Sequence, residues 1–81
     1  MIDTWKEVSN SITKEFIFDD FAQALAFVNK VGVLAESANH HPDILIHDYK
    51  KVAITLTTHS EGQVTDKDTN LAEKIDSLTL R

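Results

Sequence analysis

Polar and apolar positions alternate at first, then recur with helical spacing, and the whole cycle repeats once. Thr4 to Val8 has the length of an edge strand carrying Trp5, and Ser9-Asn10 has turn chemistry. Ser11 to Phe18 places Ile12, Phe16 and Phe18 on one parity, interrupted by Lys14, so the two stretches together predict a hairpin. Asp19 or Asp20 then caps a long helix, with Gln23 three residues after Asp20 in capping-box spacing. The helix is expected to reach about Ser37, a length of roughly 27 Å. It should be finished by about Asn39, because Pro42 drives His41 out of the α region.

The apolar residues of this helix form two adjacent stripes. One is Phe21, Leu25, Val28, Gly32 and Ala35; the other is Ala24, Phe27, Val31, Leu34 and Ala38. A helix lying on a sheet and otherwise wet needs only one. The second implies either a helix from another copy of the chain or a wide face buried within one subunit, and the pattern alone leaves both open. Gly32 in mid-helix costs about 1 kcal/mol against alanine, which close backbone packing could offset.

Ile44 to Tyr49 and Val52 to Thr58 predict a second antiparallel pair around Tyr49-Lys50-Lys51. Val52, Ile54 and Leu56 face one way; Ala53, Thr55, Thr57 and, by parity, His59 face the other. Ser60-Glu61-Gly62-Gln63 is a loop. Thr65-Asp66-Lys67-Asp68 is a capping box opening a last helix whose buried face is Leu71, Ala72, Ile75 and Leu78. The order β-β-α-β-β-α predicts an α+β fold: a four-stranded antiparallel sheet with its helices packed on one face, in a single domain over residues 1–81.

Composition narrows the class. At 81 residues the chain is near the lower limit for one hydrophobic core, and with no cysteine it has neither disulfides nor thiolate metal ligands, so oligomerisation is the expected supplement. Thirteen acidic residues against eight Lys and Arg give a net charge of −5 without a basic stripe, which argues against direct nucleic-acid binding. No apolar run approaches a membrane span and no signal-peptide pattern is present, so a cytoplasmic protein is expected.

The candidate chemistry lies where elements end. His40 and His41 stand side by side at the helix exit, His59 ends a strand, and Asp68 opens the last helix. Imidazoles titrate near neutrality, and well-placed ones contribute about 10²–10⁴-fold to rate by proton transfer. Several imidazoles and one carboxylate, with no thiol nucleophile, suit hydration or dehydration. Each residue also has a plainer role: Asp68 as a helix cap, His59 as a solvated strand end, His47 as part of its strand. A metal site competes for the same residues, but adjacent histidines lack the i, i+4 spacing that puts two ligands on one helix face.

Glu36-x₃-His40-His41-Pro42, followed by Tyr49, His59 and Asp68 at their spacings, resembles the signature of the pterin-4a-carbinolamine dehydratases. Trp5, the Phe16–Phe21 entry to the helix, the Val52–His59 strand and Asp68-x-Asn70-Leu71-Ala72 are similar to the family pattern too. The family's usual N-terminal helix is expected to be absent, since only four residues precede Trp5. The resemblance implies removal of water from 4a-hydroxytetrahydropterin to give quinonoid dihydropterin, a step in tetrahydrobiopterin recycling, with no metal and no bound cofactor. It implies catalytic roles for His40, His41, His59 and Asp68. On that expectation His41 and His59 are the acid/base pair, His40 holds the pterin, and Asp68 orients an imidazole. Glu36, Asn39, Pro42, Thr57, Thr58 and Ser60 would line the pterin site with the three histidines. The implied partners are the pterin substrate, further copies in a homodimer or homotetramer, and a functional link to an aromatic amino acid hydroxylase. A second function is implied as well: some relatives are dimerisation cofactors of a homeodomain transcription factor, and the doubled helix stripe would then be the working surface.

Overall fold

The computed structural model describes residues 5–79. Its elements are β1 (Lys6–Val8), β2 (Ser11–Ile17), α1 (Phe21–Ala38), β3 (Asp43–His47), β4 (Lys51–Leu56) and α2 (Asp66–Ser77), in the expected order β-β-α-β-β-α. The expected start of β1 at Thr4 lies outside the described residues. All neighbouring strands are antiparallel, in the spatial order β1-β2-β4-β3. The four-stranded α+β architecture is therefore as expected.

Alternation decides which face of the sheet receives the helices. Ile12 pairs with Leu56 and Phe16 with Val52, so these residues stand on one face with Ile54, and all are buried. Ala24, Phe27 and Val31 of α1 and Leu71, Ala72 and Ile75 of α2 complete that core. Phe27 packs at a tilt against Phe16 and Phe18 at centroid distances of 4.8 and 4.9 Å, and Trp5 meets Phe16 edge-on at 6.1 Å. Lys14, which interrupts the apolar parity of β2, keeps its place on the core side by snorkelling. Its Nζ lies 4.8 Å from the centre of the Phe16 ring and ends on Asp76 at 2.6 Å, and Trp5 Nε1 donates to the other oxygen of the same carboxylate.

Asp20 is the cap of α1, accepting from the Gln23 amide at 2.8 Å. The two apolar stripes are used unevenly: Ala24, Phe27 and Val31 of one and Ala35 of the other are buried, while Phe21 is 51% and Leu25 42% exposed. The β3–β4 turn differs from expectation. It occupies Asp48–Lys50, with Asp48 and Tyr49 both left-handed at φ 48° and 51°, so Tyr49 is an exposed turn residue and Lys51 already pairs with His47. Two consecutive left-handed residues match the twist of a hairpin, and Asp48 suits the first, but the second usually announces itself by Gly and here is Tyr49.

Candidate active site

Two helix ends meet beside the end of β4. At the exit of α1, Asn39 adopts the left-handed conformation (φ 51°, ψ 42°), one of the few residue types that does so at small cost. The Asn39 and His40 amides donate to the Glu36 and Ala35 carbonyls, a Schellman termination that fixes the direction in which His40 leaves the helix. Past β4, the Thr58 amide donates to the Gln63 carbonyl and the Gly62 amide returns to the Thr58 carbonyl, with Gly62 at φ 65°. This fold-back delivers Thr65 to Thr58 and begins α2 at that point.

Asp68 sits in the first turn of α2 and is fully buried. The cap and a bond to a histidine coexist because the carboxylate has two oxygens. Oδ2 accepts from the Thr65 amide at 2.9 Å and from the Thr58 hydroxyl at 2.7 Å. Oδ1 lies 2.5 Å from His40 Nε2. Burial pushes the Asp68 carboxyl up, but the hydrogen bonds from His40, the Thr65 amide and Thr58 together outweigh it, so the group titrates below its ordinary value. An ionised Asp68 makes His40 Nε2 a donor and leaves Nδ1 as the other working nitrogen. The His40 side chain is 12% exposed, enough to reach solvent or a ligand from one side.

The other expected site residues are placed less uniformly. His41 Nε2 bonds Glu36 on the surface beside His40. Asn39 is exposed at the helix exit, Pro42 is half-buried after it, and His59 and Ser60 are exposed in the loop after Thr58. His59 makes no side-chain hydrogen bond or ion pair among the described residues. Thr57 and Thr58 look to opposite sides of the chain: Thr57 donates to the Asn10 carbonyl at 2.6 Å, whereas Thr58 is turned inward onto Asp68. The structure thus brings His40, Thr58, Thr65 and Asp68 into one bonded cluster, with His41–Glu36 adjoining it in sequence.

Thr65 as a member of the cluster was readable only as a cap. Thr58 carried a signal that parity could have found: it shares the parity of Val52, Ile54 and Leu56, which marks the buried face. His47, expected to be structural, bridges Glu15 at 2.5 Å and Asp48 at 3.0 Å. Among the described residues, no three His, Asp or Glu side chains are grouped as a metal site requires. A cleft of about 460 Å³ lies between Phe16–Asp19, the first half of α1 and Leu78–Thr79, at the opposite ends of both helices from His40 and Asp68.

Residues 1–78 match the Pterin 4 alpha carbinolamine dehydratase family, and the chain belongs to it. A protein of Sulfurisphaera tokodaii, provisionally named a pterin-4-alpha-carbinolamine dehydratase, is 51% identical over 74 residues, 91% of this chain and 78% of that one. Another with the same provisional name, from a Picosynechococcus species, is 49% identical over 91% of this chain and 79% of its own. Among solved structures, a transcriptional coactivator/pterin dehydratase from Brucella melitensis superposes with a TM-score of 0.91 at 36% identity, covering 98% of this chain and 85% of that one. A pterin dehydratase-like protein identified as a RuBisCO assembly factor of the alpha-carboxysome gives 0.73 at 25% identity, over 91% and 84%. None of the described helices is long and apolar enough to cross a membrane.

Proposed function

We infer that this chain removes water from 4a-hydroxytetrahydropterin, using His40 backed by Asp68 as its fixed proton donor. The observation that carries the reading is the bond from His40 Nε2 to a buried carboxylate, in a chain of this family. Dehydration breaks the C4a–O and N5–H bonds and makes a C4a=N5 double bond. One proton must therefore reach the leaving hydroxyl, and one must leave N5. With Nε2 committed to Asp68, His40 exchanges protons with substrate through Nδ1. As an imidazolium it protonates the hydroxyl, and Asp68 stabilises that cation as carboxylates do behind catalytic histidines. His41, held by Glu36, takes the N5 proton. This arrangement moves His40 from the holding role expected on the sequence to the acid role, because its ring is anchored and the ring of His59 is not. His59, Asn39, Pro42 and Ser60 then serve as contacts for the flat pterin ring.

The test is the rate of dehydration of freshly generated 4a-hydroxytetrahydropterin. Wild type is expected to exceed the uncatalysed rate, with His40→Ala and His41→Ala each falling by about 10²–10⁴-fold. A wild type no faster than buffer sinks the reading. The reaction also implies a cytoplasmic setting and an aromatic amino acid hydroxylase as the source of substrate.

A second reading is assembly through α1. It is favoured by the apolar surface left on that helix, where Phe21, Leu25 and Val33 are 51%, 42% and 70% exposed, and by the similar structures described as a coactivator and an assembly factor. A homodimer or homotetramer built on this face is compatible with catalysis. Pure assembly without catalysis predicts a wild type that dehydrates no faster than buffer.

A further inference from the structure

Thr58 and Thr65 move no proton in the reaction above, yet the Thr58 hydroxyl bonds the carboxylate behind His40 and the Thr65 hydroxyl bonds that of Thr58. Thr58 is only 3% exposed, and its Oγ1–H donates to Asp68 Oδ2. The two threonine hydroxyls are 2.7 Å apart, so the hydrogen between them belongs to Thr65. Thr65 Oγ1 in turn accepts from the Lys67 amide at 3.3 Å, and the Thr65 amide donates directly to Oδ2. Every donor in this chain points the same way, from the positive end of α2 through two hydroxyls to Oδ2. The oxygen opposite, Oδ1, is left for His40.

A capping box needs only Thr65 and Asp68. It has no use for a second threonine brought in from the end of β4 and buried for the purpose. We propose that Thr58 and Thr65 are positioning residues, a two-hydroxyl relay that holds Asp68 ionised and in one orientation so that Oδ1 always meets His40 Nε2. The catalytic consequence rests on the dehydratase reading; the geometric one does not. Among the described residues, His40 is the only ionisable side chain bonded to Asp68. The β4 loop and the start of α2 offer it one hydroxyl, that of Thr58, and one amide, that of Thr65.

The test compares Thr58→Val and Thr58→Ser with wild type by two measurements. The first is titration of the Asp68 carboxyl by carbon-13 NMR. Removing a donor to the charged form should move that titration to higher pH in Thr58→Val, and Thr58→Ser should restore it. The second is steady-state dehydration. In Thr58→Val, kcat should fall about tenfold, the worth of one hydrogen bond to a charged group, with KM unchanged and serine recovering the rate. If Thr58→Val does not fold, Thr58→Ala, which demands no extra space, carries the same expectations. An Asp68 titration that stays at its wild-type position in the folded variant overturns the proposal, as does a rise in KM without loss of kcat. A wild type without dehydratase activity would instead defeat the reaction, and the carboxyl titration would still decide the relay.

Discussion

Asp68→Asn is the substitution that separates a catalytic carboxylate from a cap. It keeps the volume and exchanges one oxygen for an amino group. Two donors, the Thr58 hydroxyl and the Thr65 amide, already face Oδ2, so the single oxygen of asparagine is drawn to that side. The amino group then faces His40 Nε2, which lies 2.5 Å from Oδ1 in the native protein. That nitrogen must accept, so the ring is held neutral with its one proton on Nδ1, and the imidazolium that protonates the leaving hydroxyl loses its counter-charge. The same exchange of aspartate for asparagine behind a catalytic histidine costs about 10⁴ in kcat in a serine-protease triad, and a loss on the order of 10³ is expected here, where the adjacent His41 remains. Replacing bonds to a buried charge by bonds to an amide should also cost about 2 kcal/mol of stability, or roughly 8–16 °C in Tm for a domain of this size. The acid side supplies a sign check. Because the folded Asp68 titrates below its ordinary value, its contribution is present above the ordinary carboxylate range and is lost as pH falls through the lowered value. The stability gap between wild type and variant should therefore narrow in acid. Single-turnover kinetics at saturating substrate and nitrogen-15 shifts of the imidazole read the two catalytic effects. A folded Asp68→Asn protein with kcat within about threefold of wild type, or with an unchanged His40 tautomer, refutes the reasoning.

The hydrogen bond to Glu15, then that to Asp48, raises the His47 pKa against the lowering effect of burial, so its contribution is complete below the ordinary imidazole value and is lost as pH rises through the raised one. In thermal melts His47→Gln should flatten the alkaline decline of stability above about pH 6.5, and a decline identical to wild type contradicts the assignment. Asn39→Ala should cost about 1 kcal/mol in urea unfolding and Asn39→Gly close to none, since only the left-handed conformation is at stake; equal costs would point to the side chain instead. Dehydratase activity should survive exhaustive treatment with a strong chelator, and its loss, with recovery on adding one metal, would replace the proton-transfer scheme.

The fold was legible in this sequence because period and punctuation agree along most of it. Asp20, Asn39 and Thr65 mark helix ends by side chains that bond the backbone there, and Val52, Ile54 and Leu56 alternate without exception. Where the reading slipped, the local chemistry was silent. Asp48 is a turn former, but nothing in Tyr49-Lys50 announces a second left-handed residue, and alternation alone carries Tyr49 into the strand. Lys14 looked like a break because a sequence cannot show that its stem lies along Phe16 and its charge ends on Asp76. The candidate site is legible as residue types at element ends, but not as a bonded order. Whether Asp68 caps α2 or faces a histidine reads as a choice until its two oxygens are seen serving different partners. The connection of Thr58 to it spans ten residues and depends on the fold-back at Gly62.

The claim on which the account turns is that the pterin sits against His40 where the two helix ends meet. Adding a dihydropterin to isotopically labelled protein tests it most directly, by following the imidazole and amide resonances through the titration. Saturable shifts centred on His40 Nδ1, His41 and the His59–Ser60 amides are the predicted result. Shifts centred on Phe18, Lys30 and Leu78, around the cleft at the other end of the helices, or no shifts at all, would contradict it.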